Sequence, residues 1–562
     1  MNRLLILFVL LGSVCAAQTT NAPAFNMAQT ISDGAQRTTL AFDGLAIMTG
    51  NLEAQSFFPP GKVADYTGFQ YLRDNDPDNM GHNTSFLTRA ANNIIYILND
   101  SQFARLKALA TNQLEQINLY GYKRFPLMKA FRRLLDGDIP SGSAGLNLGA
   151  VKKASRELYL IDGQISFDRA LLYAGIYSSM DTNQTAYLDA MKGKGFNSWP
   201  DITNPQIDSK MRGLPQGTAV AVMTYAGDLF SWYAGSLDAD VYFCPERQGT
   251  YYGGFYIKDA PAVGHEGYSI DEQLTATAGS ALCDSSKGYV TTNQAAVMSS
   301  LVNTQRSNLY AGVTNIVSIR TQIATLLRGL LTSTVSSNAV KTQVLELSGI
   351  YGDLDGENNY NYAKVFAQIY GTLSYSQRTN LFALRKSIMS GTYADGTNFD
   401  FSVCTTPYLY SEPITNQSVL ASYITSTDYL FFDVDTVGDG IPDWWRARYF
   451  GGDGAATNSD SVATADFDCD GRSNREEYLA DTCPTSAVSR FEITGFAVVS
   501  NAIHITWTGG SNSWQSVECR NSLTDTNGWK ILYTNIPPTA LTGSVFHAGT
   551  STNIFYRIKA WR

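Results

Sequence analysis

Ile161-Asp162-Gly163-Gln164-Ile165-Ser166-Phe167 returns 193 residues later as Leu354-Asp355-Gly356-Glu357-Asn358-Asn359-Tyr360. The residues that follow match as well, with Ala170, Ala174, Ile176 and Tyr177 answered by Ala363, Ala367, Ile369 and Tyr370. Small and apolar residues at three- and four-residue steps mark one face of a closely packed helix. Asp-Gly within such a pattern predicts a cap or turn in a helical hairpin, so Asp162 and Asp355 are read as structural rather than catalytic. Upstream, Gly50-Asn-Leu52-Glu-Ala54-Gln-Ser-Phe57-Phe58-Pro-Pro60 returns as Gly235-Ser-Leu237-Asp-Ala239-Asp-Val-Tyr242-Phe243-Cys-Pro245. A unit that occurs twice predicts a helical body in which each half packs on its copy.

Four segments open helices near the ends of these units: Leu98-Asn-Asp-Ser-Gln102, Met180-Asp-Thr-Asn-Gln184, Val290-Thr-Thr-Asn-Gln294 and Leu373-Ser-Tyr-Ser-Gln377. Each carries an Asp, Thr or Ser suited to an N-cap. They resemble the LTxxQ signatures of Spy-like periplasmic proteins, which are helical chaperones and stress or metal sensors. The resemblance rests on five-residue motifs and implies here only that helix starts recur in pairs.

The stretches 50–85 and 230–270 are rich in Gly, Pro, Tyr and Phe and lack helical periodicity, which predicts long ordered loops. His82 and His265 occupy matching positions in them and are two of only four histidines. Shared ancestry explains the match by itself. A site across the repeat axis for a transition metal or haem is the alternative.

The sharpest chemistry is Asp466-Phe-Asp468-Cys-Asp470-Gly471-Arg472-Ser-Asn474-Arg-Glu-Glu477. Carboxylates at positions 1, 3 and 5, Gly at 6, a backbone carbonyl from Arg472 at 7, a side-chain oxygen at 9 and Glu at 12 form the oxygen set of an EF-hand-type calcium loop. Ser473 and Glu476 predict a capping box that starts a short helix and delivers Glu477. A weaker copy lies upstream, where Asp435, Asp439, the Ile441 carbonyl and Asp443 keep positions 1, 5, 7 and 9. Val437 removes position 3 there, and Arg446 replaces the acid at 12. Together, residues 433–484 resemble the paired aspartate loops of dockerins and thrombospondin type 3 repeats, and more closely the aspartate-rich tails of many secreted bacterial proteins. The resemblance implies calcium-stabilised folding. Where those tails have Gly and Asp, this chain has Cys469 and Cys483, from which a disulfide is expected.

After Pro484, period-two alternation in Phe491–Val498, Ile503–Trp507, Trp529–Tyr533 and Ile554–Ile558 predicts short strands. They are similar to the fibronectin type III-like ends that follow such loops. His504 and His547 are expected as ordinary strand residues.

At the other end, Met1-Asn-Arg3, an apolar run from Leu4 to Leu11 and small residues up to Ala17 read as a cleaved secretory signal. No later stretch has the roughly 18 apolar residues of a membrane span. A net charge of −9 and a pI near 5.1 argue against a nucleic-acid partner. Six cysteines follow the signal, an even number in an exported chain.

The expectation is a mainly α-helical multidomain protein: signal peptide 1–17, helical repeat copies 18–230 and 231–425, an EF-hand-like calcium unit 431–486 and a β-sandwich 490–562. No nucleophile elbow, zinc-protease helix, phosphate loop, dinucleotide fingerprint or haem-attachment motif occurs. The leading function is calcium-dependent, non-catalytic binding or scaffolding outside the cell, at its surface or in the periplasm, toward a protein or glycan. A metal or haem binder using His82 and His265, and a polysaccharide hydrolase with accessory modules, are the alternatives.

Overall fold

A computed structural model describes residues 32–50, 84–143, 145–235, 282–310, 314–332, 335–392, 398–400, 417–423, 426–500, 502–524, 528–536, 539–548 and 554–562. The chain is mainly helical and ends in two small antiparallel sheets. No described helix is long and apolar enough to cross a membrane. The signal segment, His82, His265 and residues 51–83 and 236–281 of the expected loops lie outside the described residues.

Two compact units emerge, and neither follows the order of the chain. The first comprises Met1–Leu119, Ile161–Leu345 and Leu373–Pro413, the second Tyr120–Leu160, Glu346–Thr372 and Ile414–Arg562.

In the first unit the four predicted helix starts are realised as capping boxes, the first capped by Asn99 rather than by an Asp, Thr or Ser. Asn99, Asp181 and Thr291 each accept from the backbone of the Gln three residues on, while that Gln side chain accepts from the cap's own N–H. Ser374 and Gln377 exchange the same two bonds, at 3.2 and 2.9 Å. Each cap therefore satisfies two of the donors that a helix start leaves open. The glutamines do more than cap. Gln184 donates to Gln102 at 2.7 Å and Gln102 donates back at 3.3 Å, and Gln377 donates to Gln294 at 2.9 Å. Helix Gln216–Ala234, which buries Thr218, Thr224, Asp228 and Ser231 among mostly apolar residues, packs against helices Thr84–Ile97 and Asp100–Asn112. It carries residues 230–234, where composition predicts the start of a loop. Beneath it, Arg169 is buried over the Tyr225 ring and donates to Asp228 at 2.7 Å.

The Asp-Gly segments, Asp162 in the first unit and Asp355 in the second, depart from expectation. Asp162 and Asp355 lie inside the long helices Leu148–Tyr177 and Ser337–Thr372, not at turns. In the second unit Gly352 and Gly356 permit close approach: a Cβ on Gly352 would lie 2.8 Å from Arg156 Cα, and one on Gly356 would lie 2.7 Å from Ser155 Cβ. Polar groups then join the two backbones. Tyr159 donates to Asp355 at 2.6 Å, Lys152 to Glu357 at 2.7 Å, and Arg156 to the buried Asp353.

The C-terminal sheets have strand orders β3-β4-β7 and β6-β5-β8. The strands are β3 Glu492–Val499, β4 Ala502–Thr508, β5 Trp514–Arg520, β6 Lys530–Asn535, β7 Thr542–His547 and β8 Phe555–Trp561, after a small β1–β2 hairpin at Ser390–Thr392 and Asn398–Asp400. One core draws on both sheets, with Ile505 and Trp507 from one and Val517 from the other. Strands β5 and β7 were not anticipated. In β5 the inward residues include Gln515, which accepts from the buried Trp507 indole at 2.9 Å, so polarity does not alternate with direction. His504 stacks on Phe546, and His547 bonds the Tyr556 hydroxyl at 2.8 Å, as strand residues do.

Candidate metal centre

The two acidic loops lie 31 residues apart and share one backbone design. In the first, Asp435 accepts from the Gly438 and Gly440 N–H groups at 2.7 and 2.8 Å, and Asp439 accepts from Ile441 N at 3.1 Å. In the second, Asp466 accepts from Asp470 and Gly471 N at 3.0 and 2.8 Å, and Asp470 accepts from Arg472 N at 2.8 Å. Position 1 thus organises the turn in both. Positions 4 and 6 are left-handed in both: Gly438 and Gly440 at φ 72° and 84°, Cys469 and Gly471 at 60° and 90°. Cys469 takes a backbone conformation suited to glycine.

In the second loop, carboxylate oxygens of Asp466, Asp468 and Asp470 lie within 4.8 Å of one another. Ser473 and Glu476 form the predicted capping box, so helix Asn474–Ala480 begins where the sequence placed it. That helix carries Asn474 and Glu477 inward, at 0% and 1% exposure. Asn474 turns its amide NH2 to the Asp460 and Val462 carbonyls at 2.8 Å, which leaves its oxygen without a donor. Oxygens of Asp468, Asp470 and Glu477 are likewise buried without a hydrogen-bond donor. Thr482 reaches the other Glu477 oxygen at 3.4 Å, and the Arg490 guanidinium stands 3.5 Å from Asp470. Burial pushes the Glu477 carboxyl up to about 8, and the charges of Asp468 and Asp470 push the same way. Asp470 is raised by burial and by Asp468, against the Arg472 N–H. The Arg472 side chain turns away to the Phe491 carbonyl at 3.5 Å, consistent with a residue offering only its backbone oxygen.

Such a group of buried, donorless oxygens fits a hard divalent cation. Oxygen-only ligands, several of them anionic, on a flexible loop are the calcium pattern, and the set lacks the sulfur and nitrogen of transition-metal sites.

The first loop has the same frame and different contents. Arg446, 1% exposed, donates from Nη2 to both Asp439 oxygens at 2.7 and 2.8 Å. Its Nη1 reaches the Ile441 carbonyl at 3.4 Å and the Gly454 carbonyl at 3.0 Å, and Nε reaches Ser461 O at 3.2 Å. Asp443 accepts from Thr436 N at 2.8 Å and from the Thr436 hydroxyl at 2.5 Å.

Cys469 and Cys483 are not bridged in this structure. Cys469 is exposed, and Cys483 Sγ sits 3.3 Å from Thr485 Oγ1.

The unit is anchored just beyond Glu477. Asp481 accepts from Ser511 and Asn512 N at 3.2 and 3.0 Å and from Arg562, the last residue, at 2.5 Å. The Arg562 guanidinium covers the Tyr478 ring at 4.6 Å. Sequence reasoning missed this clasp, because its partners are 81 residues apart.

No protein-family model matches the chain, and neither a curated protein nor a solved structure is significantly similar to it.

Proposed function

We propose that this is a secreted calcium-binding multidomain protein whose ion sits in the loop Asp466–Glu477, held by Asp466, Asp468, Asp470, the Arg472 carbonyl, Asn474 and Glu477. The observation that carries this reading is Glu477: a carboxylate 1% exposed, facing other carboxylates, with one oxygen lacking any donor. A buried anion in that setting is costly until a cation joins it. In this reading 433–484 is an EF-hand-like unit, the C-terminal sheets are a fibronectin type III-like module, and the helical body is a duplicated unit. The two cross-helix glutamine pairs, Gln102 with Gln184 and Gln294 with Gln377, support the duplication. The body and the β module serve as a non-catalytic binding or scaffolding surface outside the cell, where calcium is abundant enough for a site of moderate affinity.

Calorimetric titration of the purified chain tests the reading. Calcium is expected to bind at this loop and to be lost in Glu477→Gln and Asp468→Asn. Absence of binding at millimolar calcium, or its survival in both variants, would overturn the proposal.

A further inference from the structure

We infer that the first loop, Asp435–Arg446, takes no metal ion because the Arg446 guanidinium is its built-in cation. The inference extends the calcium reading of the second loop and uses that loop as its comparison. Position by position the two frames agree: the position-1 carboxylate accepts from the position-6 N–H at 2.8 Å in each, and the position-5 carboxylate accepts from the position-7 N–H. At position 12 they diverge. Glu477 brings a negative charge into a cluster of negative charges, whereas Arg446 brings a positive one.

The guanidinium bonds the groups an ion would need, the position-5 carboxylate and the position-7 carbonyl. Planar, permanently charged and carrying five donors, arginine suits a carboxylate and a set of carbonyls together. Asp443 of this loop is also occupied. Both Asp443 oxygens accept from Thr436, while Asp435 accepts from two backbone N–H groups just as Asp466 does in the second loop and so does not distinguish the two. Of the two loops, the second has buried side-chain oxygens left without donors and the first has none. Val437, at position 3, adds no ligand and is 36% exposed, as expected where no ion draws the side chain inward. The paired loops thus divide their work: one is ordered by its own side chain at any calcium level, the other waits for the ion.

Hydrogen exchange on the full chain, read by mass spectrometry with calcium and with EGTA, tests this. The Gly438 and Gly440 amides are expected to exchange alike in both conditions, and the Asp470 and Gly471 amides to slow by about tenfold or more with calcium. In Arg446→Gln the first-loop amides should speed up by about tenfold in both conditions. Asp439→Asn, at a more accessible position, should do the same if the arginine variant fails to fold. Native mass spectrometry should find one calcium per chain, lost in Glu477→Gln. Calcium protection of Gly438 and Gly440 in the wild type, or a second ion removed by Asp439→Asn, overturns the inference and leaves the second-loop reading standing. If no calcium binds at all, that reading fails, while the EGTA exchange of wild type against Arg446→Gln still decides the role of the guanidinium.

Discussion

Glu477→Gln separates a calcium ligand from a structural carboxylate by the sign of its effect under two conditions. The substitution keeps the shape of the side chain and removes its charge. With calcium at a hundredfold excess over its dissociation constant, mass action adds about 2.7 kcal/mol to the stability of the folded unit. For a unit of roughly 200 residues, each kcal/mol moves the melting temperature by about 2–4 °C, so the wild type should melt about 5–10 °C higher in calcium than in EGTA. The variant should lose most of that gain. In EGTA the expectation reverses. Burial, Asp468 and Asp470 raise the folded-state value of Glu477 from its ordinary 4.5 to about 8. For an acid whose folded value is raised, the native state binds the proton more tightly than the unfolded chain does, so stability falls as pH rises from about 4.5 toward about 8. Glutamine, which has no proton to lose, escapes that loss. At pH 7.5 without calcium the variant should therefore be at least as stable as the wild type. Differential scanning calorimetry in millimolar calcium and in EGTA, repeated at pH 5.5 and 7.5, checks both halves. Equal destabilisation with and without calcium, or a wild type indifferent to calcium, would refute the reasoning.

Gly352→Ala drives a methyl group into Arg156 Cα and Tyr159 Cβ, each 2.8 Å from the new carbon, and should cost about 1–3 kcal/mol by urea unfolding. Gly371→Ala, in the same helix with nothing within 4 Å, should cost none of this. Cys469→Gly relieves a left-handed non-glycine residue and should raise stability by up to about 1 kcal/mol, whereas loss of a disulfide would lower it by about 2–5 kcal/mol. Asp481→Asn leaves Arg562 without its carboxylate and should cost about 3–5 kcal/mol at pH 7. Burial raises Asp481, but Arg562, Lys153 and the Asn512 N–H outweigh it and hold the group below its ordinary 3.8. Its contribution is therefore present above that value and is lost as pH falls further, so the wild type and the variant should converge in acid unfolding.

What the sequence disclosed was chemistry that one short segment completes by itself. The second loop needs only its own residues to place oxygens and turn at Gly471, and the Ser473–Glu476 box needs three more bonds within four residues. The four Gln-bearing helix starts were legible for the same reason. Their second use was not, because nothing in Gln102 announces Gln184, 82 residues away. The Asp-Gly segments were placed at turns because glycine alone does not say whether it bends a chain or admits a neighbour. Ser155, on another helix, decides that Gly356 admits one. Strand β5 hid because an inward Gln515 breaks the apolar alternation, and its justification, the Trp507 indole, lies on the opposite sheet. Arg446 joins these cases. By spacing it is a missing acid, and a missing acid reads as a damaged site. Only the bonds to Asp439 and the Ile441 carbonyl turn that subtraction into a replacement, since they supply the positive charge for which the rest of the loop was already arranged.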